Sequence, residues 1–220
     1  MKYDSAYSVA AEAATYLGRY ALQYKNTEVG LFLDSIDDGA SVLDYGCNDG
    51  WVSREIKRRK PRCEVSGADI NPVALQTARR RGGGVEYFDA RNGDLSGKTF
   101  DVVILSHVLE HVHARLEMLE RVVGLIAPGG QLVVSVPQER FRGDSNLLPW
   151  AMNVLRGRFV NPHVVVLRHK TLEELLHAVG FEIDSSTYTN VFWPRVSQRR
   201  RLQSHSLIVQ ARRMPQAAMS

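Results

Sequence analysis

A doubly wound α/β fold, with helices on both faces of a mostly parallel sheet, is the architecture this sequence predicts, on three observations. Apolar β-rich runs alternate with segments of helical periodicity along most of the chain, the pattern of successive βαβ units. The first unit carries a turn, Ser41 to Ser53 (SVLDYGCNDGWVS), in which a buried strand end gives way to Gly46, Asn48 and Gly50 and then to the opening of a helix. Twenty-three residues after Gly46, a second strand-like run from Glu64 to Ala68 ends on Asp69. That is about the spacing at which an acid grips a ribose in a nucleoside-binding crossover.

The elements follow in order. Ala6, Val9, Ala13, Leu17, Tyr20 and Tyr24 recur at helical spacing, and Val29, Phe32, Leu33 and Ile36 repeat the pattern, so N-terminal helices are expected within residues 4–37. Val42 and Leu43 end the first strand, and Trp51 to Arg59 is its helix. Asn71-Pro72 offers an N-cap and a favoured first helical residue to a helix over Val73 to Arg81, closed by three consecutive glycines from Gly82. Val85 to Phe88 is a third strand, running into Asp89 and Ala90. Phe100 to Leu105 reads as a strand buried on both faces, which sets Ser106 and His107 at its carboxyl end beside the crevice where such folds bind ligands.

One helix is then expected with Leu109, Val112, Leu116, Leu119, Val123 and Ile126 on a single face, stopped by Ala127-Pro128-Gly129-Gly130 before a fifth strand, Gln131 to Val136. The stretch 137–169 lacks periodicity and mixes Trp150, Phe159 and His163 with Gly and Pro, which predicts an inserted cap over the crevice. Thr171 with Glu174 forms a capping box for a helix over Leu172 to Val179, ended by Gly180. Phe181 to Tyr188 and His205 to Ala211 complete the sheet as a strand pair joined by the basic loop Pro194 to Ser204.

With 220 residues and 44% hydrophobic content, residues 1–220 suffice for one domain without a metal or disulfide staple. Cys47 lies in the ligand loop and Cys63 at the start of the second strand, at opposite ends of a parallel sheet and out of bonding range; two free thiols point to a reducing, cytoplasmic setting. No apolar run of about 18 residues appears, so no membrane span is expected. A net charge of +4 permits an acidic partner without demanding one.

Asp44 separates the nucleoside ligands. A pyrophosphate docks on bare backbone N–H groups at a helix N-terminus, and a carboxylate two residues before the first glycine repels it while attracting an amino-acid ammonium. The turn is also not a G-x-G-x-x-G. The acid, the two glycines and the ribose acid together resemble the signature of class I S-adenosylmethionine-dependent methyltransferases, D-x-G-x-G-x-G after the first strand. Asn48 replaces the middle glycine, and Asn is among the few other residues that visit left-handed conformations. The resemblance covers about Leu31 to Arg212. Through Phe-Asp-Val-Val, His107-Val-Leu-Glu-His111 and Pro-Gly-Gly it extends to the group containing ubiquinone-biosynthesis O-methyltransferases and sugar or natural-product methyltransferases.

The resemblance implies a seven-stranded sheet with an antiparallel last strand. It implies an S-adenosylmethionine site made of Asp44, Gly46, Cys47, Asn48, Gly50, Trp51, Asp69, Ile70, Asp89, Ala90, Ser106 and His107, in which Asp89 accepts from the adenine amino group and the next N–H meets the ring. It also lays the N-terminal helices over the ligand mouth, with Tyr3, Tyr7 and Tyr16 as candidate lining residues.

Methyl transfer from a sulfonium depends mainly on in-line positioning. A hydroxyl acceptor also needs a base, for which His107, His163 and His169 are the candidates, His107 first. His107-Val-Leu-Glu110-His111 matches the H-x-x-E-H of zinc hydrolases, but straddles a strand end where that motif needs a helix. It also resembles the E-x-x-E-H that holds a divalent metal in small-RNA 2′-O-methyltransferases and some ubiquinone enzymes, with the leading Glu replaced by His107; no metal is assigned.

The basic clusters Arg54 to Arg62 and Arg79 to Arg81 sit at helix C-termini, at the sheet end expected to face away from the cofactor, and read as a solvated face rather than a nucleic-acid surface. Arg195, Arg199, Arg200 and Arg201 lie on the active-site side and suit a phosphate or carboxylate on a small-molecule acceptor. An RNA 2′-O-methyltransferase, a nicotinamide oxidoreductase and a non-catalytic nucleoside-binding module are the rival readings.

Overall fold

The computed structural model describes residues 24–92, 94–138 and 167–214. His163, the three candidate tyrosines and all but the edges of the expected cap lie outside the described residues. Strands β1 (Ser41–Tyr45), β2 (Glu64–Asp69), β3 (Glu86–Asp89), β4 (Phe100–Ser106) and β5 (Ile126–Pro137) pair in parallel in the order β3-β2-β1-β4-β5. Beyond β5 come β8 (Ser204–Arg213), antiparallel to both its neighbours, then β6 (Phe181–Asn190), then the two-residue edge strand β7 (Val196–Ser197). The doubly wound class and the antiparallel last long strand are therefore as expected, with β7 as an eighth strand.

Two cores cover the faces of the sheet. On one face, helix α1 (Tyr24–Leu33) and helix α2 (Trp51–Arg59) bring Val29, Phe32 and Ile56 onto Val42, Val102, Ile104 and Val133. On the other, α4 (Arg115–Val123) and α5 (His169–Ala178) pack Leu119, Val122, Leu172 and Leu176 against Leu43, Val103, Leu105 and Val134. Neighbouring residues of β4 thus belong to opposite cores, which is why its sequence is continuously apolar from Val102 to Leu105. A smaller cluster of Cys47, Leu75, Ala78 and Tyr87 seats α3 (Pro72–Arg81).

Local chemistry explains the element ends. Asn71 caps α3 through its side-chain oxygen, which accepts from the N–H groups of Val73 and Ala74, and Pro72 occupies the first helical position. Gly180 follows α5 with φ of 81°, and its N–H returns to the His177 carbonyl. Three expected boundaries differ. The helix expected from Leu109 is broken: Leu109–His111 is a single 3₁₀ turn that tucks Glu110 inside, and α4 starts only at Arg115. The Pro-Gly-Gly segment does not stop short of β5 but lies within it, with Ile126 already paired to Phe100 and a register shift before Val102. The capping box at Thr171 is not used, because α5 enters one turn early, at His169, with Arg168 at its N-cap.

Cys47 and Cys63 are both buried free thiols. Among the described residues no helix is long and apolar enough to cross a membrane.

Candidate cofactor and acceptor site

The loop after β1 is wound back on β2. Gly46 and Cys47 both donate their N–H to the Ala68 carbonyl, Gly50 donates to Cys47, and Trp51 donates to the Asp49 side chain at 3.2 Å. These loop donors are thus already engaged and not open to a pyrophosphate. Gly46, Asn48 and Gly50 all have positive φ (86°, 49° and 74°), so Asn48 does adopt the left-handed conformation expected of it. A Cβ on Gly46 would come within 2.4 Å of Val108 Cγ2, and one on Gly50 within 2.2 Å of the Tyr87 hydroxyl. Glycine is needed at both for conformation and for space.

Parallel pairing sets Asp69 directly opposite Asp89 and aligns Tyr45 with Ala68, so the acids that close β2 and β3 face the loop along one edge of the sheet. Asp69 is bound on both oxygens: Oδ2 accepts from the Asn48 N–H and Oδ1 from the Asn71 N–H, each at 2.8 Å. A carboxylate offers about four acceptor sites, so ribose hydroxyls can still be received. Ile70, next to it, is 65% exposed.

Several expected contacts differ in detail. Asp89 is clamped by Arg91, whose Nε and Nη2 lie 2.9 and 2.6 Å from its two oxygens, and this pairing holds its carboxyl down at about 2. The Ala90 N–H is not open to an adenine ring, since it donates to the Asp69 carbonyl at 3.1 Å. The Cys47 side chain turns away from the ligand edge into the Leu75–Tyr87 cluster, and burial pushes its thiol up.

Asp44 is also turned inward. It is 1% exposed, and its Oδ2 accepts from the buried Ser53 hydroxyl at 2.6 Å. Burial dominates its titration and, with Asp69 and Asp49 adding to it against the Ser53 hydrogen bond, pushes the carboxyl up to about 7. It underlies the loop as a support rather than forming its lining.

The arginine clusters do not all face away from the ligand. Arg54 donates to the Asp49 carbonyl at 2.8 Å, Arg81 pairs with the Asp49 carboxylate, and Arg79 donates to the Tyr87 carbonyl. They brace the loop and β3. In the basic loop after β6, Arg195 donates to the Val191 carbonyl and Arg200 to the Gln138 carbonyl, while Arg199 and Arg201 are exposed.

His107 occupies the carboxyl end of β4 with φ of 55°, a left-handed conformation that is uncommon for such a residue. A regular strand residue there would follow Val103 and Leu105 onto the α4/α5 core. The turned backbone instead carries its ring to α1, where Nε2 lies 2.8 Å from Glu28 Oε1 and 3.2 Å from the Ser206 hydroxyl. Nδ1 lies 3.4 Å from Glu110 Oε1. Burial by itself would lower this imidazole, but Glu28 and Glu110 outweigh burial and the opposing Lys25 and push it up to about 9. Glu28 in turn is held well below the usual carboxylate range, because His107 and Lys25 overcome its burial.

Both ring nitrogens thus face carboxylates, Nε2 toward Glu28 and Nδ1 toward Glu110. The flanking carboxylates raise the proton affinity of this ring, which leads the candidate bases. His169 opens α5 with Nδ1 3.9 Å from Glu173 on its own helix.

Sequence reasoning missed Glu28, Ser135, His205 and Ser206. The signal for Glu28 was present: it stands one helical turn before Phe32, on the apolar stripe of α1, where a carboxylate needs a buried partner.

A crossover loop that spends its N–H groups internally, flanked by acids at the ends of β1, β2 and β3, defines a nucleoside-binding α/β domain of the methyltransferase type. Comparison with known proteins agrees. Residues 17–186 match the family described as methyltransferase domain. The chain belongs to this family, and with it to the class I S-adenosylmethionine-dependent methyltransferases.

A ubiquinone biosynthesis O-methyltransferase of Rhizobium leguminosarum bv. trifolii is 29% identical over 158 residues, 68% of this chain and 62% of that protein. A trans-aconitate 2-methyltransferase of Rhodopseudomonas palustris is 33% identical over 103 residues, 46% of this chain and 40% of that protein. The chain thus spans less than two thirds of the length of these relatives. The same fold is seen in magnesium protoporphyrin IX methyltransferase from Synechocystis with bound S-adenosylhomocysteine, with a TM-score of 0.62 at 18% identity over 97% of this chain and 89% of that one.

Proposed function

We propose that the protein transfers a methyl group from S-adenosylmethionine to an oxygen of a small-molecule acceptor. The observation that carries the reading is the Asp69 carboxylate, held at the loop by the N–H groups of Asn48 and Asn71 with acceptor capacity left for a ribose, beside the exposed Ile70. Asp89 would meet the adenine edge after yielding part of its hold on Arg91. The buried charge of Asp44, behind the loop, favours a cofactor that brings an ammonium rather than a pyrophosphate.

Oxygen is favoured as the acceptor atom by the ubiquinone O-methyltransferase relatives, and an acidic acceptor by the exposed Arg199 and Arg201 together with the trans-aconitate methyltransferase relative. The acceptor proton would pass to His107, His163 or His169, or leave to water from an acceptor that is already acidic. Residues 137–169 and the N-terminal helices would cover the acceptor.

The test is a panel of phenols, catechols and carboxylic acids incubated with protein and S-adenosylmethionine, read by S-adenosylhomocysteine release and by product mass. Oxygen-methylated product from at least one class is expected. Tight S-adenosylhomocysteine binding without turnover on any acceptor would favour a binding module, and methylation only at nitrogen or carbon would overturn the oxygen reading.

A further inference from the structure

We propose that Glu28, His107 and His205 form a binding site for a divalent transition-metal ion at the carboxyl edge of the sheet. The three side chains come from α1, the end of β4 and the start of β8, and their ligand atoms lie within 4.8 Å of one another. Tetrahedral ligands about 2.1 Å from a zinc-type ion stand ~3.4 Å apart, so the widest pair needs to close by about 1.4 Å at most, while Glu28 Oε1 and His107 Nε2, now 2.8 Å apart, need to open by about 0.6 Å.

All three are sheltered: Glu28 and His205 are each 2% exposed, and the His107 side chain is 18% exposed. The two imidazole rings lie 5.8 Å apart between centroids. A carboxylate and imidazole ion pair has no need of a second imidazole at that distance, whereas a metal site does.

The surroundings are those of a ligand set. His107 points Nε2 into the cluster while Nδ1 faces the fully buried Glu110, the carboxylate-to-histidine support that fixes ring orientation in metal centres. Its left-handed backbone is anchored by its N–H to the Ser135 carbonyl, and the Ser135 hydroxyl donates to Glu28. These constraints place the ring in one orientation before any ion arrives.

Two imidazoles and one carboxylate suit Zn²⁺, Co²⁺ or Fe²⁺ over Mg²⁺ or Ca²⁺, which favour all-oxygen sets. Three protein ligands also leave a position for water or an acceptor oxygen. The site differs from one read off the H-x-x-E-H spacing: Glu110 supports His107 from outside the set, and His111 is 46% exposed with Nε2 3.9 Å from Glu110.

The experiment uses the full chain after chelator treatment, titrated calorimetrically with Zn²⁺ and, separately, with Co²⁺. Saturable uptake of one ion is expected, weakened at least ~100-fold by His205→Ala or Glu28→Gln and about 10- to 100-fold by Glu110→Gln, and unchanged by His111→Ala. Circular dichroism and thermal unfolding of the metal-free variants establish that they fold. Should a variant fail to fold, the visible spectrum of the wild-type Co²⁺ form decides, since low-coordinate imidazole ligation absorbs far more strongly than hydrated Co²⁺. No saturable uptake, uptake indifferent to His205, or uptake lost with His111→Ala would each overturn the proposal. Binding is read without cofactor or acceptor, so its failure is distinct from failure of the methyl-transfer reading.

Discussion

Replacing Asp44 with Asn should change how stability depends on pH. The carboxyl is 1% exposed, accepts from the Ser53 hydroxyl at 2.6 Å and from the Ser53 backbone, and is pushed up to about 7 from an ordinary 3.8. Below about pH 4 it is neutral in both the folded and the unfolded chain and costs nothing. Between about pH 4 and pH 7 the folded state holds a proton that the unfolded state has lost, so stability falls as pH rises, at roughly 1.4 kcal/mol per unit. Above about pH 7 both states are ionised and the full cost, roughly 4 kcal/mol, is in place. Asn keeps the shape and an acceptor for Ser53 but cannot ionise, so any penalty it brings is constant with pH.

Urea unfolding of both proteins at about pH 5 and about pH 8 isolates the effect, because titrating groups not coupled to Asp44 cancel in the difference, and its coupled neighbours Asp69 and Asp49 are carboxylates, a class that ordinarily titrates below that interval. Wild type should lose close to 3 kcal/mol more than Asp44→Asn across that interval. Equal slopes would refute the assignment of a raised carboxyl to this position. If the cofactor ammonium favours the charged form, S-adenosylhomocysteine binding near pH 6 should also release a proton, and this release should vanish in the variant.

Three other outcomes follow from the geometry. Asp69→Ala removes a charged acceptor from the ribose and from two loop N–H groups, so calorimetric affinity for S-adenosylhomocysteine should fall by roughly 1.5 to 3 kcal/mol, about one to two decades; unchanged affinity would remove Asp69 from the site. Gly46→Ala combines a left-handed alanine, about 1 to 2 kcal/mol, with overlap on Val108, about 1 to 3 kcal/mol, and adding Val108→Ala should restore only the second part in a double-mutant cycle. His107→Asn removes one charged partner from the buried Glu28, which keeps Lys25 and the Ser135 hydroxyl, and should lower unfolding free energy by about 1 to 3 kcal/mol, while His169→Asn, half-buried on the first turn of α5, should stay within about 0.5 kcal/mol. The same set tests the base: a fall in turnover of about 10² to 10⁴ is expected in the variant of His107, His163 or His169 that serves, with cofactor affinity kept.

What the sequence determined by itself was whatever depends on residues close along the chain. The Asn71-Pro72 cap, the glycine stop after α3, the positive φ at Gly46, Asn48 and Gly50, and the alternation of strands and helices all follow from local conformational preference. The acids at the strand ends were legible too, since parallel pairing puts the ends of successive strands on one edge whatever lies between them.

Tertiary structure decided what required distant segments to meet. Whether Asp44 lines the ligand or supports the loop turned on Ser53 being buried beneath it. Arg81 pairs with Asp49 across 32 residues, so a cluster that local charge pattern assigns to a solvated face braces the ligand loop instead. His107 shows the distinction most clearly: its place at the end of β4 is written in the strand before it, but its protonation was set by Glu28, 79 residues away, and by Glu110 folded in by a 3₁₀ turn that interrupts the helical periodicity. An imidazole's proton affinity depends on the field of the groups packed around it. That field exists only once α1, β4 and β8 have been brought together.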